Sequence, residues 1–217
     1  MQDYSENKNY WDNFYASTRA SELKPPSQFA AFVIGEIPKE QVLIVDIGCG
    51  TGRDTLFFSS QGIPVVGIDG SKSAINHCEQ VANSLRLPAM FIHRNVHDAD
   101  LCQQVQALPE YQLAQTVVIY ARFFIHAITE EDENFLFALV KNVGPQLKTL
   151  FAAEFRTHRD ATMPKETAIH YRRFIDPHEF LVRSINLGLN VEYYVEGFGL
   201  AKYKSDDAHV ARYLLSI

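Results

Sequence analysis

The chain has 217 residues and carries 20 Lys and Arg against 26 Asp and Glu, a net charge of −6. That balance argues against a protein built to coat nucleic acid, because phosphate binding needs clustered cations. Hydrophobic residues make up 47%, enough for a sizeable core, and the length suggests one domain, 1–217. Three cysteines, Cys49, Cys78 and Cys102, form no CxxC pair and read as free thiols in a reducing compartment. The polar, acidic stretch MQDYSENKNYWDNFY is no secretion signal. No apolar run has the length to span a membrane, so a cytoplasmic protein with neither membrane nor nucleic-acid partner is expected.

Residues 1–26 precede the first clear element and are expected to fold over a site as a lid. Within them Trp11 and Tyr15 stand four apart, on one helical face. A helix capped by Ser27 should begin at PPSQFAAFV. QVLIVDIG (Gln41–Gly48) is a continuous β-branched run that reads as a buried parallel strand. A helix can follow over Thr51–Ser60, then a second strand, Ile63–Asp69. Ser71–Arg86 carries Ala74, Ile75, Cys78, Val81, Ala82 and Leu85 on one face and reads as an amphipathic helix with Ser71 as its cap. AMFIHRN is a third strand, Ala99–Leu108 a weak helix and QTVVIYA a fourth strand. Thr129–Pro145 reads as a helix with acids in its first turn, Lys141 near its end and Gly144-Pro145 to stop it. QLKTLFAAEF is a fifth strand, DPHEFLVRSINLG a helix, and NVEYYVEGFG and AHVARYLLSI are two closing strands. Repeated strand–helix units predict an α/β, Rossmann-like fold with helices on both faces of the sheet. Seven strands are expected, six parallel and one antiparallel, with the last two paired at an edge.

The stretch VDIGCGTGRD places Gly48, Gly50 and Gly52 where the first strand turns into a helix. In open α/β sheets ligands bind there, at the carboxyl ends of the strands, and a helix N-terminus offers free N–H groups. A dinucleotide turn needs G-x-G-x-x-G, and Arg53 stands where its third glycine would be. VDIGCGTGRD instead resembles motif I of the class I S-adenosylmethionine-dependent methyltransferases. It is followed, seventeen residues past Gly52, by Asp69 at the next strand end. The resemblance spans about Leu43–Glu154 in element order and implies S-adenosylmethionine as the cofactor. It assigns Asp46, Gly48, Cys49, Gly50 and Gly52 to the methionine part, Asp69 with Gly70 to the ribose, and Asn95 (in competition with Asp98) and Val96 to the adenine. Tyr120 and Ala121 should border the reactive methyl, and Trp11 should close over the cofactor.

Methyl transfer is an in-line displacement, for which the protein aligns a nucleophile and, where needed, removes its proton. His126 is the first candidate base because an imidazole titrates near neutrality; the alternative is a histidine packing a loop. Glu154 and His170 are the other candidates, and Glu154 could equally form a salt bridge to Arg122 or Arg156. Arg122, Arg156, Tyr171, Arg172 and Arg173 are candidate substrate contacts. A cationic stretch in an acidic chain suggests a small carboxylated or phosphorylated acceptor. Neither a (D/N)PPY motif nor a Pro-Cys pair is present, which counts against amino methylation of adenine or glutamine and against covalent cytosine methylation. Methylation of protein or RNA, or a silent cofactor-binding domain, are the rival readings. No metal is implied, and oligomeric state is left open.

Overall fold

The computed structural model describes residues 10–11, 24–163, 165, 171–203 and 205–217. Its sheet has seven strands: β1 (Val42–Ile47), β2 (Val65–Asp69), β3 (Met90–His93), β4 (Thr116–Arg122), β5 (Lys148–Arg156), β6 (Asn190–Tyr203) and β7 (Asp206–Ser216). Their order is β3-β2-β1-β4-β5-β7-β6. The pairs from β3 through β5 are parallel, and β7 runs antiparallel to both neighbours. Six strands therefore share a direction and one opposes it. The chain winds outward from β1 to β3 and returns to β4, so the strand order reverses between β1 and β4, where ligands bind in such sheets.

All six residues of β1 are buried, as a strand covered on both faces requires. Successive side chains alternate between the faces. Leu43, Val45 and Ile47 enter one core and Ile44 the other. The second core is closed by helices α1 (Gln28–Glu36), through Phe29, Ala30 and Val33, and α2 (Arg53–Ser60), through Phe58. Helix α3 (Lys72–Leu85) packs on α2, Val81 and Ala82 meeting Leu56. The first core is closed by α4 (Leu101–Gln106), α6 (Glu130–Asn142) and α7 (Pro177–Asn186), while α5 (Pro109–Leu113) borders it through Tyr111. The weak helix expected over Ala99–Leu108 is found as Leu101–Gln106, and a further short helix not expected from the sequence starts at Pro109. Ser27, Ser71 and Thr129 each accept a backbone N–H three residues on, the usual satisfaction of a helix start. Among the described residues no helix is long and apolar enough to cross a membrane.

The sheet also aligns charges. Arg122, Glu154 and Arg212 are register neighbours on β4, β5 and β7. Glu154 is fully buried and accepts from Arg122 Nε at 2.9 Å and Arg212 Nε at 2.6 Å. This salt bridge consumes Glu154 and removes it as a candidate base. Breaking a buried pair leaves an uncompensated charge and costs about 3–5 kcal/mol. Glu154→Ala is expected to lower unfolding free energy by about that amount in urea denaturation; a near-neutral effect would show that the row of charges is not structural.

Candidate cofactor site

A cavity of about 470 Å³ opens at the carboxyl ends of β1, β2 and β4, within the size range of small-molecule sites. Its floor is the glycine turn. Gly48 and Gly52 hold φ of +71° and +69°, a region that strains any residue with a Cβ. Space forbids a side chain as well: a Cβ on Gly48 would lie 2.2 Å from Phe124 Cδ2, and one on Gly52 2.8 Å from Cys78 Sγ. Cys78 donates its thiol to the Gly50 carbonyl at 3.2 Å. Cys49 lines the cavity, but contact with Cys78, and then burial, holds its thiol well above the usual range, so it is no ready thiolate.

Asp69 stands at the end of β2. Its carboxylate accepts from the Gly50 N–H at 2.9 Å and the Ser71 N–H at 2.8 Å, which fixes its orientation on the cavity wall. Gly70 beside it leaves room for Asn95, whose Oδ1 would lie 2.4 Å from a Cβ there. Asp98, the competing candidate, instead accepts the Asn95 backbone N–H at 2.9 Å. Val96 supplies an apolar wall and is 9% exposed. Asp46, at the end of β1, is 3% exposed and accepts from the Thr55 hydroxyl at 2.6 Å. Burial first, with the nearby Asp54 and Asp69 adding to it, pushes its carboxyl up to about 7 against the pull of Thr55 and Arg122. Trp11 also lines the cavity, with Tyr10 edge-on to it at 5.0 Å; Tyr15 lies outside the described residues. Tyr120 reaches the cavity, but its ring is packed between Phe29 and Phe58. Its hydroxyl donates to Asp54 at 2.8 Å, and burial raises it well beyond its ordinary value. Ala121 is fully buried in the first core.

The expected chemistry at the ends of β4 and β5 is largely replaced by structure. His126 is 4% exposed, lies outside the cavity lining, and its Nδ1 accepts the Arg156 backbone N–H at 3.2 Å. That bond occupies one nitrogen's lone pair and leaves the proton on the other, so the ring has no lone pair for an acceptor's proton. This contact fits the loop-packing alternative. Arg156 is no substrate contact: its fork bonds Asp160 at 2.6 Å and Asp206 at 2.5 Å. Arg173 donates to the carbonyls of Ile128 and Ile125 and pairs with Glu133, which ties a loop. His170 lies outside the described residues. Arg172 is half-buried, and burial followed by the charge of Arg156 lowers its proton affinity. Tyr10, raised by burial, feels the Arg172 charge, so these two are neighbours; Tyr171 adjoins them in sequence. Arg122 does line the cavity.

Several lining residues were missed in the sequence. Asp54 on α2 accepts from the Ser27 N–H at 2.8 Å, the Ser27 hydroxyl at 2.7 Å and the Tyr120 hydroxyl. Arg53 donates to the carbonyls of Pro25 and Pro26. Both stood in the quoted glycine stretch, but their partners are tens of residues away. His97 pairs through Nδ1 with Asp132 at 2.8 Å and is the only histidine in the lining among the described residues. Phe123 sits in the left-handed region at φ +56°, which is strained for a bulky residue.

The lining suits a cationic ligand with vicinal hydroxyls better than a diphosphate. Four carboxylates, Asp46, Asp54, Asp69 and Asp132, face the cavity, and the Gly50 N–H that a pyrophosphate would need is already on Asp69. Residues 44–143 match the family of methyltransferase domains. A SAM-dependent methyltransferase from Anabaena variabilis is similar in fold at 17% identity, with 99% of this chain and 96% of that one covered and a TM-score of 0.71. One from Aquifex aeolicus is similar at 17% identity over the whole of both chains, TM-score 0.63. The magnesium protoporphyrin IX methyltransferase of Synechocystis, solved with bound SAM, is similar at 13% identity, covering 99% and 97%, TM-score 0.65. No curated protein matches the chain. The fold is that of the class I methyltransferases. The middle of the chain is thus similar to methyltransferase domains, and its fold is shared with S-adenosylmethionine-dependent methyltransferases.

Removing the carboxylate in Asp69→Ala deletes charge-assisted acceptors and should weaken S-adenosylmethionine binding by about 1–3 kcal/mol in calorimetry. Gly48→Ala should weaken it further, because the added Cβ drives Phe124 across the turn. Unchanged affinity in both variants would remove this cavity from cofactor binding.

Proposed function

We propose that the enzyme transfers a methyl group to an oxygen or nitrogen of a small anionic molecule, carboxylated or phosphorylated. The reading places the cofactor in the cavity above the glycine turn, with Asp69 toward the ribose, Asn95 and Val96 toward the adenine and Asp46 toward the methionine end. When bound, the cofactor supplies an activated methyl on a positively charged sulfur. The chain's own task is then alignment, exclusion of water and orientation of the acceptor.

Arg122 is the observation that carries the acceptor class. It lines the cavity at the end of β4 with its side chain 19% exposed. Its Nε is held by Glu154, and its guanidinium carbon lies 4.4 Å over the Phe123 ring. Among the described residues neither Nη forms a hydrogen bond, so the outer edge of the fork is open to an anion. A planar fork held in place by an ion pair and a ring is suited to carboxylate or phosphate. Of the five residues expected to hold the acceptor, Arg156 and Arg173 are committed elsewhere, and Arg122, Arg172 and Tyr171 remain. With His126 and Glu154 engaged in structure, an acceptor that is already nucleophilic at neutral pH fits the site best, and proximity supplies the rate.

The test is methyl transfer from labelled S-adenosylmethionine to a panel of small carboxylates and phosphates, each with its neutral analogue. Arg122→Lys keeps the charge opposite Glu154 and loses the fork. It should raise KM for the anionic acceptor by about tenfold or more, the loss expected for a charged hydrogen bond, with cofactor affinity unchanged. Equal use of neutral and anionic acceptors by the wild type would exclude the anionic class and leave the methyltransferase activity untouched.

A further inference from the structure

The charges that line the cofactor cavity are not equally satisfied. Arg53 is bonded to two carbonyls, Arg94 to Asp100 and Arg122 to Glu154. Asp69 has two backbone amides, Asp54 has Ser27 and Tyr120, and Asp132 has His97 and the Thr129 hydroxyl. Asp46 has the Thr55 hydroxyl and no other hydrogen bond among the described residues. It faces like charges from two elements, Asp54 on α2 and Asp69 on β2, and one cation, Arg122 on β4. The high-lying Cys49 thiol adjoins it in the turn. His97 is the remaining titratable group in the lining. A carboxylate that is almost wholly buried, singly bonded and flanked by two others is poorly stabilised as an anion.

We propose that the Asp46 carboxyl sheds a proton as S-adenosylmethionine enters, so that the cavity grips the cationic cofactor in preference to its neutral-sulfur product. The O–H bond of the carboxyl breaks, the proton passes to bulk buffer, and no other bond changes. The driving force is the fixed positive charge of the sulfonium, which cannot titrate and which favours the ionised carboxyl; S-adenosylhomocysteine lacks it. The inference rests on the reading that the cofactor lies in this cavity. Its sign follows from linkage. The empty site's Asp46, pushed up to about 7, holds a proton below that pH and must expel it on binding. Cofactor affinity therefore falls by up to about tenfold per pH unit below about 7 and is flat above. Affinity for the product changes less, so the preference for the charged cofactor widens as pH rises.

Titration calorimetry of the full chain with S-adenosylmethionine and S-adenosylhomocysteine tests this, run in two buffers of different ionisation enthalpy between about pH 6 and pH 8.5. The wild type should release about half a proton at pH 7 with S-adenosylmethionine, more at lower pH and almost none at the top of the range. S-adenosylhomocysteine should release less, and Asp46→Asn should abolish the pH-dependent part for both. The variant is expected to fold. A carboxyl raised by folding destabilises the native state as pH climbs from its unfolded value near 4 toward 7, and Asn removes that cost. Its Tm should accordingly exceed the wild type's at pH 8 by more than at pH 5. Binding without proton release, equal release by the two ligands, or an unchanged profile in Asp46→Asn would each overturn the proposal. Asp69→Ala in the same experiment separates the two levels. If it and Gly48→Ala both leave affinity intact, the cavity itself is misassigned; if they weaken binding while no proton is released, only the role of Asp46 falls.

Discussion

One buried carboxylate, Asp54, joins three segments that the chain supplies far apart. It sits in the first turn of α2, directly behind the glycine turn. It accepts from the backbone and hydroxyl of Ser27 before α1 and from Tyr120 on β4, with Arg122 Nε 4.0 Å away. Burying a carboxylate is costly unless hydrogen bonds replace its water, and these partners do so. The arrangement fixes the glycine turn against β4 and sets where Arg122 can reach. Arg53, next to it, grips the carbonyls of Pro25 and Pro26, so the chain entering α1 is laid along the cavity rim.

The same logic explains why so many polar residues at the carboxyl edge proved structural. The parallel strands end there, and their last side chains are buried by β7 and by the loops that follow. A charge in that position needs an opposite charge nearby. Glu154 has Arg122 and Arg212, Arg156 has Asp160 and Asp206, and Glu133 has Arg173 and Arg183. Truncating one member strands the other, which makes these groups sensitive to mutation whether or not they touch a ligand. Sensitivity alone therefore cannot mark a catalytic residue in this region. Separate measurement of affinity, turnover and stability can.

What was legible in the sequence is what local chemistry decides. The β-branched run of β1, the glycine turn and the helix-capping hydroxyls of Ser27 and Ser71 each act within a few residues. The alternation of strand and helix then leaves few topologies, and the seven-stranded sheet follows. The position of Asp69 could be read because it ends the strand beside β1. Long-range pairings were not legible. Arg156 and Asp206 lie fifty residues apart in the chain, and His97 meets Asp132 only because β3 and α6 close on the same cavity. The cationic run from Arg156 to Arg173 looked like one surface for an anion because two of the acids that neutralise it, Glu133 and Asp206, lie outside the run. The role of Asp54 was hidden for the same reason: its neighbour Arg53 was visible only as a missing glycine.

The insertion of β7 between β5 and β6 bears on how the protein is made. Until residues 206–216 have left the ribosome, β5 presents an open, largely apolar edge with Glu154 and Arg156 lacking their partners on β7. A nascent chain with β1 to β5 assembled is thus exposed to pairing with another chain along that edge, the hazard of any unpaired strand. Late arrival of β7 seals the edge and brings Arg212 to Glu154 and Asp206 to Arg156 in one event. Assembly of the sheet is therefore concluded by a non-local pairing, the kind that slows folding. Synonymous changes that slow or speed translation ahead of β7 should alter soluble yield without altering the purified enzyme.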